Sequence, residues 1–87
     1  MQHFVMEVVF PTSAQKIEVV WVDVKSPTGS FMIGPQSAPL VSLLSGNSKL
    51  LFKSETGSMG TIEIPAGMLE IDENGNVLVL VVPSLAS

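Results

Sequence analysis

Apolar residues recur at every second position along most of this chain, the spacing of strands that turn one face to a core. Phe4, Met6, Val8 and Phe10 share a face and alternate with Val5, Glu7 and Val9, in a first strand that stops at Pro11. Thr12, Ser13 and Ala14 make a turn, and a second strand covers residues 17–24. There Val20, Val22 and Val24 fall on one face, and Ile17, Val19, Trp21 and Asp23 on the other. Trp21 points outward if those valines point inward; in the opposite phase it is ordinary core.

Turn residues divide the rest of the chain. Ser26-Pro27-Thr28-Gly29 is a turn, because Pro fixes φ at its second position and Gly relieves its close. Extended segments are expected at 30–33, 38–44, 49–53, 60–64, 68–71 and 77–82. Asn74-Gly75 has the composition of a type I′ hairpin, which needs positive φ at both central positions. Prolines and glycines at short intervals leave no window for a capped amphipathic helix. The expectation is one all-β domain over residues 1–87, a two-layer antiparallel β-sandwich or flattened barrel of about eight to ten short strands.

Composition sharpens this picture. Hydrophobic residues are 46% of the chain and charged residues 14%, against a usual charged share of about 25%. So much apolar surface on so small a domain calls for a covering partner. The strand at 77–82 makes the same demand, since it is apolar on both faces and a two-layer sandwich covers only one. It is far short of the roughly 18–20 residues that span a bilayer, so no direct membrane insertion is expected. The net charge is −4, and Lys16, Lys25, Lys49 and Lys53 are scattered with no arginine beside them, which argues against nucleic acid. With no cysteine, disulfides and thiolate metal sites are excluded, and the N-terminus lacks the pattern of a signal peptide. A cytoplasmic protein is expected.

Catalytic chemistry finds no residues to carry it. The single histidine, His3, reads as a solvated residue at a frayed terminus, and the chain has no Cys, Tyr or Arg to pair with it. Glu70, Asp72 and Glu73 precede Asn74-Gly75-Asn76, yet Gly75 comes too early for a calcium loop and Pro83 stands where its last carboxylate belongs. They read as a solvated hairpin tip. Neither an enzyme nor a cofactor or metal site is expected. The segment from Gly29 to Leu44 is instead built for shape, with two glycines and two prolines punctuating an apolar run and no charge at its turns.

Two motifs in this order carry a resemblance. Gly29-Ser30-Phe31-Met32-Ile33-Gly34-Pro35-Gln36-Ser37-Ala38-Pro39-Leu40 is similar to a Gly-Glu-(hydrophobic)-Gly-Ile-x-Pro-x-His-Ala-Pro-Leu stretch. Ala66-Gly67-Met68-Leu69-Glu70-Ile71, then a turn and the strand from Val77, is similar to a Gly-Gly-(hydrophobic)-Leu-Glu-Val strand followed by a valine-rich one. Both belong to the N-terminal β-sandwich domain of the ε subunit of F-type ATP synthase, which the chain resembles from Phe4 to Val82. The resemblance implies a non-catalytic central-stalk subunit that links the γ subunit to the c ring and turns with them, peripheral on the cytoplasmic face of the membrane. It implies that Ser30, Phe31, Gln36, Ser37, Ala38 and Pro39 lie toward the c ring, and that Trp21, Leu78 and Leu80 meet γ. Ser30 and Ser37 stand where the family has an acid and a histidine, so any ion pair there is replaced by hydrogen bonds and shape. Met32 takes the place of a glycine. The sequence stops before the family's C-terminal helical hairpin, as expected of a natural short form or of a truncated chain. The alternative is a free-standing β-sandwich adaptor or self-associating domain, with edge strands and the run at 77–82 pairing between copies.

Overall fold

The computed structural model describes residues 2–82, and every regular element among them is a β-strand. In chain order these are β1 (Phe4–Phe10), β2 (Ser13–Ser26), β3 (Gly29–Ile33), β4 (Leu40–Ser54), β5 (Met59–Ile71) and β6 (Val77–Val81). Hydrogen-bonded neighbours run β1-β6-β5-β4-β2-β3, and β1 also pairs with β2. That extra pairing closes the sheet into a ring from which only β3 projects. The all-β flattened barrel read from the sequence is the architecture that forms. It is mixed rather than wholly antiparallel, because β1 and β6 run parallel, with Met6 opposite Val77 and Val9 opposite Leu80.

The strands are fewer and longer than the turn signals suggested, because the breaks expected between 44 and 49 and between 64 and 68 are bends inside β4 and β5. In β4, Gly46 and Asn47 adopt φ of 67° and 61°, and the register steps from Ser45 opposite Ala66 to Ser48 opposite Ile64. Two residues thus face the single Pro65, which has no N–H to offer a ladder, and the pair of strands bends there without losing a bond that Pro65 could have made. In β2, Val19 faces Ser54 and Trp21 faces Lys53, so Val20 is the extra residue. Both bulges carry strands from one layer to the next. Residues 13–19 of β2, β1, β6, residues 66–71 of β5 and 40–45 of β4 form the first layer. Residues 19–26 of β2, β3, 48–54 of β4 and 59–64 of β5 form the second.

The extra residue corrects the sequence phase of β2. Val19, not Val20, joins Val22 and Val24 in the core, because a bulge flips the side-chain alternation on one side of it. Trp21 therefore lies on the outer face, half-buried. The core is continuous between the layers and draws on Phe4, Met6, Val8, Ile33, Leu44, Leu50, Ile64, Leu69, Ile71, Val77 and Val79. Among the described residues no buried side-chain nitrogen or oxygen lacks a partner.

The turn after β5 also differs from the type I′ expectation. Only Gly75 has positive φ, at 83°, while Gly75 N donates to Asp72 O and Asp72 N to Asn76 O, both at 3.0 Å. Asp72 holds the loop with its side chain: its Oδ1 accepts from Asn74 N at 2.8 Å and Asn76 N at 3.0 Å, the pattern of an Asx turn. Asn76 Oδ1 in turn accepts from Val5 N at 3.1 Å, tying the loop to the start of β1. Asp72→Ala is expected to lower stability by about 1 kcal/mol, the usual net worth of such bonds at an exposed site. Equilibrium urea unfolding measures it, and an unchanged midpoint would show that the side chain does not hold the loop.

Candidate interaction surface

The apolar alternation of β6 leaves two side chains outside the core. Val77 and Val79 are buried, while Leu78 is half-buried and Leu80 is exposed. Strand pairing places Leu80 in a cross-strand row on the outer face of the first layer, running Leu43, Met68, Leu80, Val9 and Ala14 over β4, β5, β6, β1 and β2. The next row runs Val41, Glu70, Leu78, Glu7 and Lys16. Directly opposed side chains on one face lie about 5 Å apart, so each row is a contiguous stripe. Leu43 is 79% exposed and Val41 61%. The face thus has an apolar band flanked by a row that holds two carboxylates and one lysine.

Gln36, Ser37, Ala38 and Pro39 form the loop between β3 and β4. Ser37 closes it: its Oγ donates to Gly34 O at 2.7 Å and accepts from Gly34 N at 3.2 Å, so the hydroxyl is already engaged within the loop. Gln36 holds φ of 61°. The tip of the β5–β6 loop packs against it, since a Cβ on Gly75 would lie 3.3 Å from Gln36 N and Cα. Pro39 stands beside Leu40, Val41, Glu70 and Asp72, at the margin of the apolar face. Ser30 and Phe31 lie at the other end of β3 and line a cleft with Ser42, Leu43 and Leu44.

The residues singled out in the sequence therefore fall in several places. Leu78 and Leu80 share the first layer's outer face. Trp21 is on the outer face of the second layer, opposite Lys53, with Met59 beyond it. The pairing of Leu43 with Met68 and Leu80 was missed, because nothing local in a sequence says which strands become neighbours. Alternation within residues 40–44 marked Val41 and Leu43 as a face of their own, and this was the available signal.

His3 is exposed, as the sequence suggested, but its ring is engaged rather than frayed. Its Nδ1 lies 3.1 Å from Glu18 Oε1 and its Nε2 3.7 Å from Glu55 Oε2, while Glu55 N donates to Glu18 O at 3.0 Å. The three ligand atoms lie within 4.8 Å of one another, close enough to share one ion, and all three residues are exposed. Pairing with one another accounts for their approach. The acidic residues after β5 are a solvated tip, as read, and Pro83 lies outside the described residues. No helix among the described residues is long and apolar enough to cross a membrane.

The geometry defines a closed two-layer β-sandwich that presents one apolar sheet face and a shaped loop beside it. No protein-family model matches the chain, and no curated protein matches it in sequence. Solved structures share its fold. A chain of the Euglena gracilis mitochondrial ATP synthase, in a structure of OSCP, F1 and c-ring in one rotational state, matches with a TM-score of 0.80 and 15% identity. The match covers 93% of this chain and 51% of that one. A chain from the central stalk and c-ring of the Tetrahymena thermophila mitochondrial ATP synthase matches with a TM-score of 0.71 and 16% identity, over 94% of this chain and 65% of that one. The chain thus shares the fold of these two mitochondrial ATP synthase chains and spans 51% to 65% of their length.

Proposed function

We propose that this protein is a non-catalytic rotor subunit of an F-type ATP synthase, linking γ to the c ring in the manner of the ε N-terminal domain. The observation that carries the reading is the coincidence of two independent likenesses. The sandwich matches chains of two mitochondrial ATP synthase structures over nearly its whole length, one of them a structure of the central stalk and c-ring. The ordered motif from Gly29 to Leu40 supplies β3 and the shaped loop after it.

In this reading the outer face of the first layer meets γ through Leu78 and Leu80, joined by Leu43, Met68 and Val9. The partner surface that fits is apolar, with basic side chains placed for Glu7 and Glu70. Ser30, Phe31, Gln36, Ser37, Ala38 and Pro39 face the c ring, and Ser37 contributes the loop's shape, since its hydroxyl is spent within the loop. Trp21, on the other layer, addresses a second surface. The subunit sits peripherally on the cytoplasmic face of the membrane, performs no bond chemistry and needs no cofactor. Co-purification with soluble γ tests the reading: a stable complex is expected, and a γ that shows no affinity for this chain would overturn it.

A further inference from the structure

The ring closure leaves few free strand edges, and they are not equally protected. β6 has none, because β1 and β5 flank it, so strand pairing between copies through residues 77–81 is closed off by topology. In the second layer, the free edge of β5 over residues 59–64 carries Glu63 and ends at Pro65, two devices that discourage strand addition. The β3 edge is short, begins at Gly29 and follows Pro27.

Residues 13–18 of β2 form a further edge, which carries Lys16 and Glu18. The remaining edge is residues 40–44 of β4, which pair with β5 on one side and have no ladder partner on the other among the described residues. Like β3 it is five residues long and follows a proline, Pro39, but it holds neither a glycine nor a charge of its own. No charged residue stands anywhere between Lys25 and Lys49, and no Pro or Gly lies within 40–44. Its outward side chains, Val41 and Leu43, are among the most exposed apolar residues of the described chain. Alternate N–H and C=O groups along such an edge accept only another extended backbone.

We infer that this edge pairs with the same edge of a second copy, antiparallel about a two-fold axis through Ser42. Such pairing does not depend on the rotor reading. Self-complementarity singles out the occupant: in that register Leu40 meets Leu44, Val41 meets Leu43, and Ser42 meets Ser42, so apolar faces apolar and no charge opposes its like. A cleft of about 310 Å³, with Ser30 and Phe31 of β3 in one wall and Ser42 and Leu44 in the other, lies along the same edge. A five-residue edge buries less than the roughly 1,200 Å² of a standard interface, so association is weak.

Sedimentation velocity across rising concentration reads the association directly. The wild-type chain is expected to shift from monomer to dimer. Leu43→Lys and Val41→Lys place like-signed charge on the added strand and are expected to hold it monomeric. Both side chains are solvent-exposed, so an unchanged far-ultraviolet circular dichroism spectrum confirms that each variant folds. The chain has no cysteine, which makes Ser42→Cys a clean reporter: oxidation is expected to trap a disulfide dimer, while Thr61→Cys on the β5 edge stays monomeric. A wild-type chain that remains monomeric at millimolar concentration would overturn the inference. So would a dimer that both lysine variants leave intact, since another surface would then hold it.

Discussion

Gly67→Ala is expected to cost about 3 kcal/mol or more, a large part of the roughly 4–13 kcal/mol available to a domain of this size. A Cβ at position 67 would overlap the carbonyl oxygen of Leu80 and approach Leu80 C at 3.2 Å and Val81 Cα at 3.3 Å. These are backbone atoms of the neighbouring strand and cannot swing aside. Gly67 pairs with Val81 just past the bend at Pro65, and there β5 and β6 come closer than any side chain allows. The two strands must part, and Leu69, Val77 and Val79 lose their packing with them. Gly60→Ala is the control. Its Cβ would meet the Phe52 ring, with Cε2 at 2.9 Å and Cε1 at 3.0 Å, but a partly buried ring can rotate, so a cost of about 1 kcal/mol is expected. Urea unfolding of both variants compares them. Equal losses would show that the backbone approach at Gly67 does not limit the fold.

Leu80→Asp is expected to weaken binding to γ by about 30-fold or more while leaving the fold in place. Leu80 sits in the middle of the row Leu43, Met68, Leu80, Val9 and Ala14, so a carboxylate there is desolvated by any partner that covers the row. Central apolar anchors of this kind are worth about 2 kcal/mol or more, and each 1.4 kcal/mol is about tenfold in affinity. Added negative charge beside Glu7 and Glu70 strengthens the demand for cations on the partner. In the free chain the position is open to water, so a stability change of roughly 0.5–1 kcal/mol is expected. Trp21→Ala, on the other layer, should leave γ affinity as it was. Calorimetric titration of γ with the three proteins decides: wild-type affinity in Leu80→Asp would remove this face from the interface, and a large loss in Trp21→Ala would move the interface to the second layer.

Much of the architecture was legible before any coordinates. Period-two alternation located β1, β3 and β6 to within a few residues, and turn chemistry at Pro11-Thr12 and Pro27-Thr28 marked two reversals. It failed where a turn signal served a bend. Gly46-Asn47 looks like a chain reversal, but its two left-handed residues oppose Pro65 across the ladder, so the pair is a bulge that keeps β4 continuous. Val20 failed for the same reason. The bulge at Val20 has no mark in its own strand, because the register of the partner creates it. Asn74-Gly75 misled differently: Asp72, two residues before Asn74, supplies the side-chain acceptor that fixes the loop, and Asn74 keeps negative φ.

The candidate surface divides along the same line. Local sequence marked Leu78 and Leu80 as apolar residues in excess of what a half-buried strand needs, and marked the glycines and prolines between Gly29 and Leu44 as a device for shape. These are properties of side-chain type and order, which every conformation of the chain shares. Only the tertiary structure set Leu43 and Met68 beside Leu80, put Trp21 on the opposite layer, and left residues 40–44 as an uncharged edge without a ladder partner among the described residues. Each follows from which strands became neighbours and in what register, and pairing between residues distant in sequence is decided by closure of the whole sheet around one core.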